Sequence, residues 1–84
     1  MNELGKVVIV EDDPDTRDLL VDALGKRGHE ARGVSTGDAA LAHVDEQDVD
    51  VVVTDVQLGG MTGLDLCSRL VEKRPDIPVI VVTG

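Results

Sequence analysis

Three short runs of apolar, mostly β-branched residues constrain this chain most: Lys6–Val10 (KVVIV), Asp50–Thr54 (DVVVT) and Val79–Val82 (VIVV). Successive side chains of a strand point to opposite faces, so an unbroken apolar run needs cover on both sides. A weaker run, His29–Val34, lies between the first two. The stretches that separate these runs carry helical signals. Asp13 followed by Pro14 supplies an N-cap acceptor and a proline suited to the first helical position. That helix is expected to reach about Lys26, with Leu19, Leu20, Ala23 and Leu24 facing inward and Gly28 ending it. Thr36 or Asp38 can cap a second helix that ends near Val44 and turns Ala40, Leu41 and Val44 inward. A glycine-rich loop, Gln57–Gly63, leads to a third helix over about Leu64–Arg74, and Pro75 and Pro78 break the chain after it. Strand and helix therefore alternate as repeated βαβ units. Right-handed crossovers then give a parallel sheet with helices on both faces.

In such sheets ligands gather at the carboxyl ends of the strands. Here those ends carry Glu11-Asp12-Asp13, Asp55 and Thr83-Gly84. Asp13 is accounted for as a helix cap or accessory acid. Three consecutive acids exceed what one cap requires, and carboxylates gathered beside Asp55 repel unless a hard cation neutralises them. Mg²⁺ suits such a group, because it takes one or two carboxylates and completes its shell with water and phosphate oxygens; Mn²⁺ is the substitute. A carboxylate held there can act as a nucleophile toward phosphorus. The Thr83 hydroxyl and the Gly84 amide could donate to phosphoryl oxygens. The whole chain leans the same way, with 17 acidic against 8 basic residues and a formal net charge of −9. Such a field repels phosphate backbones, so direct contact of this segment with nucleic acid is not expected.

These residues resemble the response-regulator receiver domains of two-component systems. The resemblance rests on Val7–Asp13 (VVIVEDD), Asp50–Gly63 (DVVVTDVQLGGMTG) and Ile77–Gly84 (IPVIVVTG), with support from Pro14–Arg17 and Thr36–Leu41. It implies a flavodoxin-like three-layer α/β sandwich with strand order 2-1-3-4, and residues 1–84 forming the N-terminal two-thirds of one receiver domain. It also implies a set of roles. Asp55 is the phosphoacceptor, Asp12 binds the metal directly and Glu11 acts through water. The backbone carbonyl of Gln57 is a further metal ligand, and Thr83 is the switch hydroxyl. The phosphoryl group would come from a phosphohistidine on a sensor histidine kinase or phosphotransfer protein. The domain would be a phosphoacceptor that assists its own phosphorylation and dephosphorylation rather than an enzyme. It would switch an output domain C-terminal to this segment, with transcription regulation the expected output.

Two departures from the family pattern stand out. Gly59 replaces the usual proline and should loosen the loop after Asp55, and Thr62 stands where an Asp is frequent. The family's fifth strand, with its phosphoryl-pairing Lys, lies outside these residues, so they are expected to be part of a longer protein. A bare fourth-strand edge and uncovered apolar helix faces would then invite self-association. No apolar run approaches the ~18 residues of a membrane span, and a cytoplasmic location is the expectation.

Other residues have ordinary explanations. Cys67 shares helical spacing with Leu64, Leu70 and Val71 and is read as packing. His29 and His43 are read as solvated, and Arg17 and Arg69 as helix-surface charges. The alternative function is a pseudo-receiver, a protein-interaction module of the same fold that is not phosphorylated. A haloacid-dehalogenase-like hydrolase fits less well, because Asp55-Val56-Gln57 lacks the second acid of that motif.

Overall fold

The computed structural model describes residues 5–82. The elements run β1 (Lys6–Val10), α1 (Pro14–Lys26), β2 (Glu30–Val34), α2 (Gly37–Glu46), β3 (Val51–Asp55), α3 (Gly63–Lys73) and β4 (Val79–Val82). The four strands are all parallel and lie in the order β2-β1-β3-β4. This is the order 2-1-3-4 expected of the flavodoxin-like arrangement. Strand boundaries differ from the sequence reading by one residue: β2 begins at Glu30 rather than His29, and β3 extends to Asp55.

The central strands are covered on both faces, as their unbroken apolar sequence demands. Val7, Val8, Ile9 and Val10 are all buried. Val8, Val10 and Val52 meet Ala40 and Val44 of α2, Leu66 and Leu70 of α3, and Val49, Leu58 and Ile77 in one core. By strand alternation Val7 and Ile9 face the other side, where α1 lies against β1 and β2. Each such side chain contributes about 1.5–3 kcal/mol through burial, and with no aromatic residue in the chain these aliphatics make up the apolar core. The side chain of Arg74 ties α3 to α2. It donates from Nη1 to the Val44 carbonyl at 3.0 Å and holds Asp76 through Nε and Nη2 at 3.1 and 3.0 Å.

Two helices present faces other than those expected. In α1 nothing is fully buried, Leu19 is 67% exposed and Ala23 is exposed, whereas Arg17, Leu20, Val21 and Leu24 are half-buried. In α3 the buried residues are Gly63, Leu66 and Leu70; Leu64 and Val71 are 60% and 55% exposed, and Cys67 is half-buried. Each helix carries two apolar stripes about 60–100° apart, and contact with the sheet selects one of them. His29 is half-buried too, with no partner for Nδ1 among the described residues, so the solvated reading fails for it. Thr36, not Asp38, caps α2, its hydroxyl accepting from the Ala39 amide at 3.1 Å. Gly28 sits at φ 93°, the left-handed conformation that lets the chain leave α1. Among the described residues no helix is long and apolar enough to cross a membrane.

Candidate functional site

The site is assembled at the carboxyl ends of β1 and β3, which are neighbours in the sheet. Val10 pairs with Thr54, so the next residue on each strand, Glu11 and Asp55, emerges at the same level. Glu11 continues the sheet by one rung, its amide donating to the Val34 carbonyl at 3.0 Å. Its side chain is 9% exposed, and Oε2 accepts from the Asp13 amide at 3.1 Å. Asp12, next in the chain, is exposed. Asp13 turns toward α1 instead. Its Oδ2 accepts from the Thr16 amide at 2.8 Å and the Thr16 hydroxyl at 2.7 Å, which makes it the N-cap.

Asp55 is half-buried and held by its backbone. The buried Thr54 hydroxyl donates to the Asp55 carbonyl at 3.0 Å, and the Val56 amide donates to the Val82 carbonyl at 3.1 Å. The chain then loops out and returns. Gly63 opens α3 against the strand end, donating to the Val56 carbonyl at 2.7 Å. A Cβ at Gly63 would overlap the Asp55 carbonyl oxygen, so only glycine permits this approach. Gly60, at φ 89°, supplies the left-handed residue of the loop.

One carboxylate oxygen from each of Glu11, Asp12 and Asp55 lies within 4.8 Å of the other two. Oxygens around an octahedral Mg²⁺ sit about 3–4 Å apart at its bond lengths of roughly 2.0–2.1 Å, so a group of this spread is compact enough to surround one hydrated ion, bound directly by one or two carboxylates. The electrostatics agree. The Asp13 amide on its own favours the Glu11 carboxylate. Desolvation, a hydrogen bond with Asp12 and the charges of Asp55 and Asp12 outweigh it and raise the Glu11 pKa above the ordinary 4.5. Desolvation and two neighbouring acids thus act together on the Glu11 carboxylate. The Gln57 carbonyl receives no backbone amide among the described residues. Thr83 and Gly84 lie outside the described residues.

The reading of Arg17 as a helix-surface charge is corrected. The residue is half-buried, and its Nη1 donates to the Glu11 carbonyl oxygen at 3.0 Å. Its methylenes cross β2 at Gly33, where an added Cβ would come within 2.7 Å of the Arg17 Cγ. The signal in the sequence was an arginine one helical turn after the N-cap, with a glycine in a short strand that otherwise favours side chains.

The comparisons with known proteins follow the same geometry. The family model for the response regulator receiver domain matches residues 7–84. The chain is 46% identical over 78 residues to the sensory transduction protein RegX3 of Mycobacterium tuberculosis, covering 93% of this chain and 34% of that protein. It is 41% identical over 79 residues to the transcriptional regulatory protein TcrA of the same organism, covering 94% and 31%. The chain thus spans about a third of the length of these curated relatives. Its structure is similar to that of the response regulator TrrA of Thermotoga maritima, crystallised in complex with Mg²⁺ and BeF. The TM-score is 0.90 at 28% identity, over 95% of this chain and 70% of that one. Fold, strand order, the acidic group at the strand ends and these likenesses agree: the chain belongs to the response-regulator receiver domain family of two-component systems.

Proposed function

We propose that Asp55 accepts a phosphoryl group at a site where Asp12, Glu11 and Asp55, with the Gln57 carbonyl, hold Mg²⁺ or Mn²⁺. The observation that carries the proposal is the convergence of three carboxylates from β1 and β3 within 4.8 Å. When bound, the cation supplies positive charge to the phosphoryl oxygens. The protein's own residues do the rest. Asp55 attacks phosphorus through a carboxylate oxygen as the phosphorus–nitrogen bond of a phosphohistidine donor breaks, and the imidazole leaves with the bonding electrons. The Thr54 hydroxyl and the Val56 amide fix the Asp55 backbone during this exchange. Glu11, anchored to the sheet through the Val34 carbonyl, and Asp12 beside it supply the charge that recruits the ion. By the family resemblance, the Thr83 hydroxyl and the Gly84 amide would then receive the phosphoryl oxygens.

In this reading the domain is a phosphoacceptor that assists its own phosphorylation and hydrolysis, not an enzyme acting on other molecules. Its donor is a sensor histidine kinase or phosphotransfer protein in the cytoplasm, and its output is regulation of transcription. The name of TcrA, a transcriptional regulatory protein, supports that output. The complex of TrrA with Mg²⁺ and BeF supports the choice of cation.

The test is phosphorylation of the full chain by acetyl phosphate with Mg²⁺. An acid-stable, base-labile adduct should form and should be lost in Asp55→Asn. An adduct that persists in that variant, or none in the wild type, would refute the assignment; the second outcome is that of a pseudo-receiver.

A further inference from the structure

Three polar groups of Glu11 are engaged. Its amide donates to the Val34 carbonyl at 3.0 Å, its Oε2 accepts from the Asp13 amide at 3.1 Å, and its carbonyl accepts from Arg17 Nη1 at 3.0 Å. The last of these bonds matters most for the site. The Glu11 carbonyl belongs to the planar peptide that also carries the Asp12 amide, so fixing that oxygen fixes the plane from which Asp12 departs. Without the guanidinium, nothing among the described residues holds this peptide from the α1 side.

The route Arg17 takes is built into the fold. Its side chain crosses β2 at Gly33, with its Cγ 2.7 Å and its Cδ 3.1 Å from where a Cβ would stand. Val21 Cγ2 lies 3.1 Å from the same point, so the helix packs on the strand through both residues. Any larger residue at position 33 would displace the arginine stem.

We propose that Arg17 is a positioning residue for the cation site, setting the Glu11–Asp12 peptide so that both carboxylates meet Asp55 around one ion. The proposal rests on the reading of Glu11, Asp12 and Asp55 as a cation site. It assigns Arg17 no contact with the ion or the phosphoryl group. Residues that orient metal ligands from behind commonly affect affinity by about 10–100-fold, and a guanidinium on a backbone carbonyl is such a residue.

The experiment measures Mg²⁺ affinity by calorimetry, and Mn²⁺ affinity by electron paramagnetic resonance, in variants of the full chain. Arg17→Ala should weaken binding about 10-fold or more. Val21→Ala, which loosens the same contact with β2 but touches no polar group of Glu11, should stay within about twofold at a comparable drop in melting temperature. Arg17→Lys, which retains one donor, should recover part of the loss. Gly33→Ala should weaken binding when Arg17 is present and add little in the Arg17→Ala background, because its closest approach is to the arginine stem rather than to Val21. Wild-type affinity in Arg17→Ala, or an equal loss in Val21→Ala, would overturn the proposal. If Arg17→Ala does not fold, Gly33→Ala decides together with Val21→Ala: unchanged affinity in Gly33→Ala, or an equal loss in both, overturns the assignment, and a loss in Gly33→Ala alone supports it. Asp12→Ala separates the two levels. If it binds metal as the wild type does, the cation site itself is wrong, whereas an intact response to Asp12→Ala with none to Arg17→Ala removes only the positioning role.

Discussion

Asp12→Asn should make the metal-free protein more stable and the metal-bound protein less so, and the size of both effects follows from the geometry. Two unit charges 4.8 Å apart repel by about 0.9 kcal/mol in bulk water and about 3.5 kcal/mol at an effective dielectric of roughly 20. Asp12 is exposed, so the lower figure is nearer and salt reduces it further. Asparagine removes two such repulsions, with Glu11 and with Asp55, for a gain of about 1–2 kcal/mol at low ionic strength. The bound cation works the other way. At 100 times its dissociation constant it stabilises the wild type by about 2.7 kcal/mol, and the variant forfeits most of that. Urea unfolding followed by far-ultraviolet circular dichroism, with chelator and with saturating Mg²⁺, should therefore reverse the ranking of the two proteins. The pH dependence should follow suit. The Glu11 pKa is raised in the folded state, so the folded protein holds that proton more tightly than the unfolded chain does. The Glu11 contribution to metal-free stability must then fall as pH rises from about 4.5 through the raised value. In Asp12→Asn two of the causes of the shift are gone, and the slope should flatten. A variant no more stable than wild type in chelator, or a difference that salt leaves unchanged, would refute the electrostatic account.

Two further contrasts probe the scaffold. Gly63→Ala should destabilise by about 1–3 kcal/mol or more and impair adduct formation, since its Cβ would meet the Asp55 backbone, which cannot step aside. Gly59→Ala, with open space around it, should be neutral or stabilise by up to about 1 kcal/mol, and equal effects in denaturant melts would contradict the loop geometry. Leu70→Ala, at a fully buried site, should lose about 2–5 kcal/mol, whereas Leu64→Ala, at 60% exposure, should lose no more than about 0.5 kcal/mol in the same assay.

The sheet and the acidic site were legible because both depend on local signals repeated in order. An apolar run read as a strand covered on both faces, a strand end read as the place for an acid, and βαβ chirality brought β1 and β3 together. What was not legible depended on which of two near-equivalent faces a helix turns inward. Leu64, Cys67 and Val71 form as good a stripe as Gly63, Leu66 and Leu70, and packing on the sheet, with Gly63 closely fitted on Asp55, selects the second. The same holds for α1, where Leu19 and Ala23 lost to Arg17 and Val21. A long charged side chain such as Arg17 reads as surface because burial of its methylenes depends on a glycine in another element. Asp12 joined the acidic group by its place at a strand end and took its role as a direct ligand only from the family resemblance, and its neighbourhood with Glu11 and Asp55 required the strand register.

That register has a consequence for how such a site can change. Val10 opposite Thr54 places Glu11 and Asp55 at matching heights, and a slip by one residue would turn the acid at position 55 to the far side of the sheet. The next permitted alignment is two residues away, a jump of about 6.6 Å, far larger than an ion site tolerates. The spacing between the two strand-end acids is thus stepped rather than continuous. Any fine adjustment of reactivity, within this protein or between it and its relatives, must come from the segments 11–13 and 56–62, while the strands act as a ruler with coarse, fixed divisions.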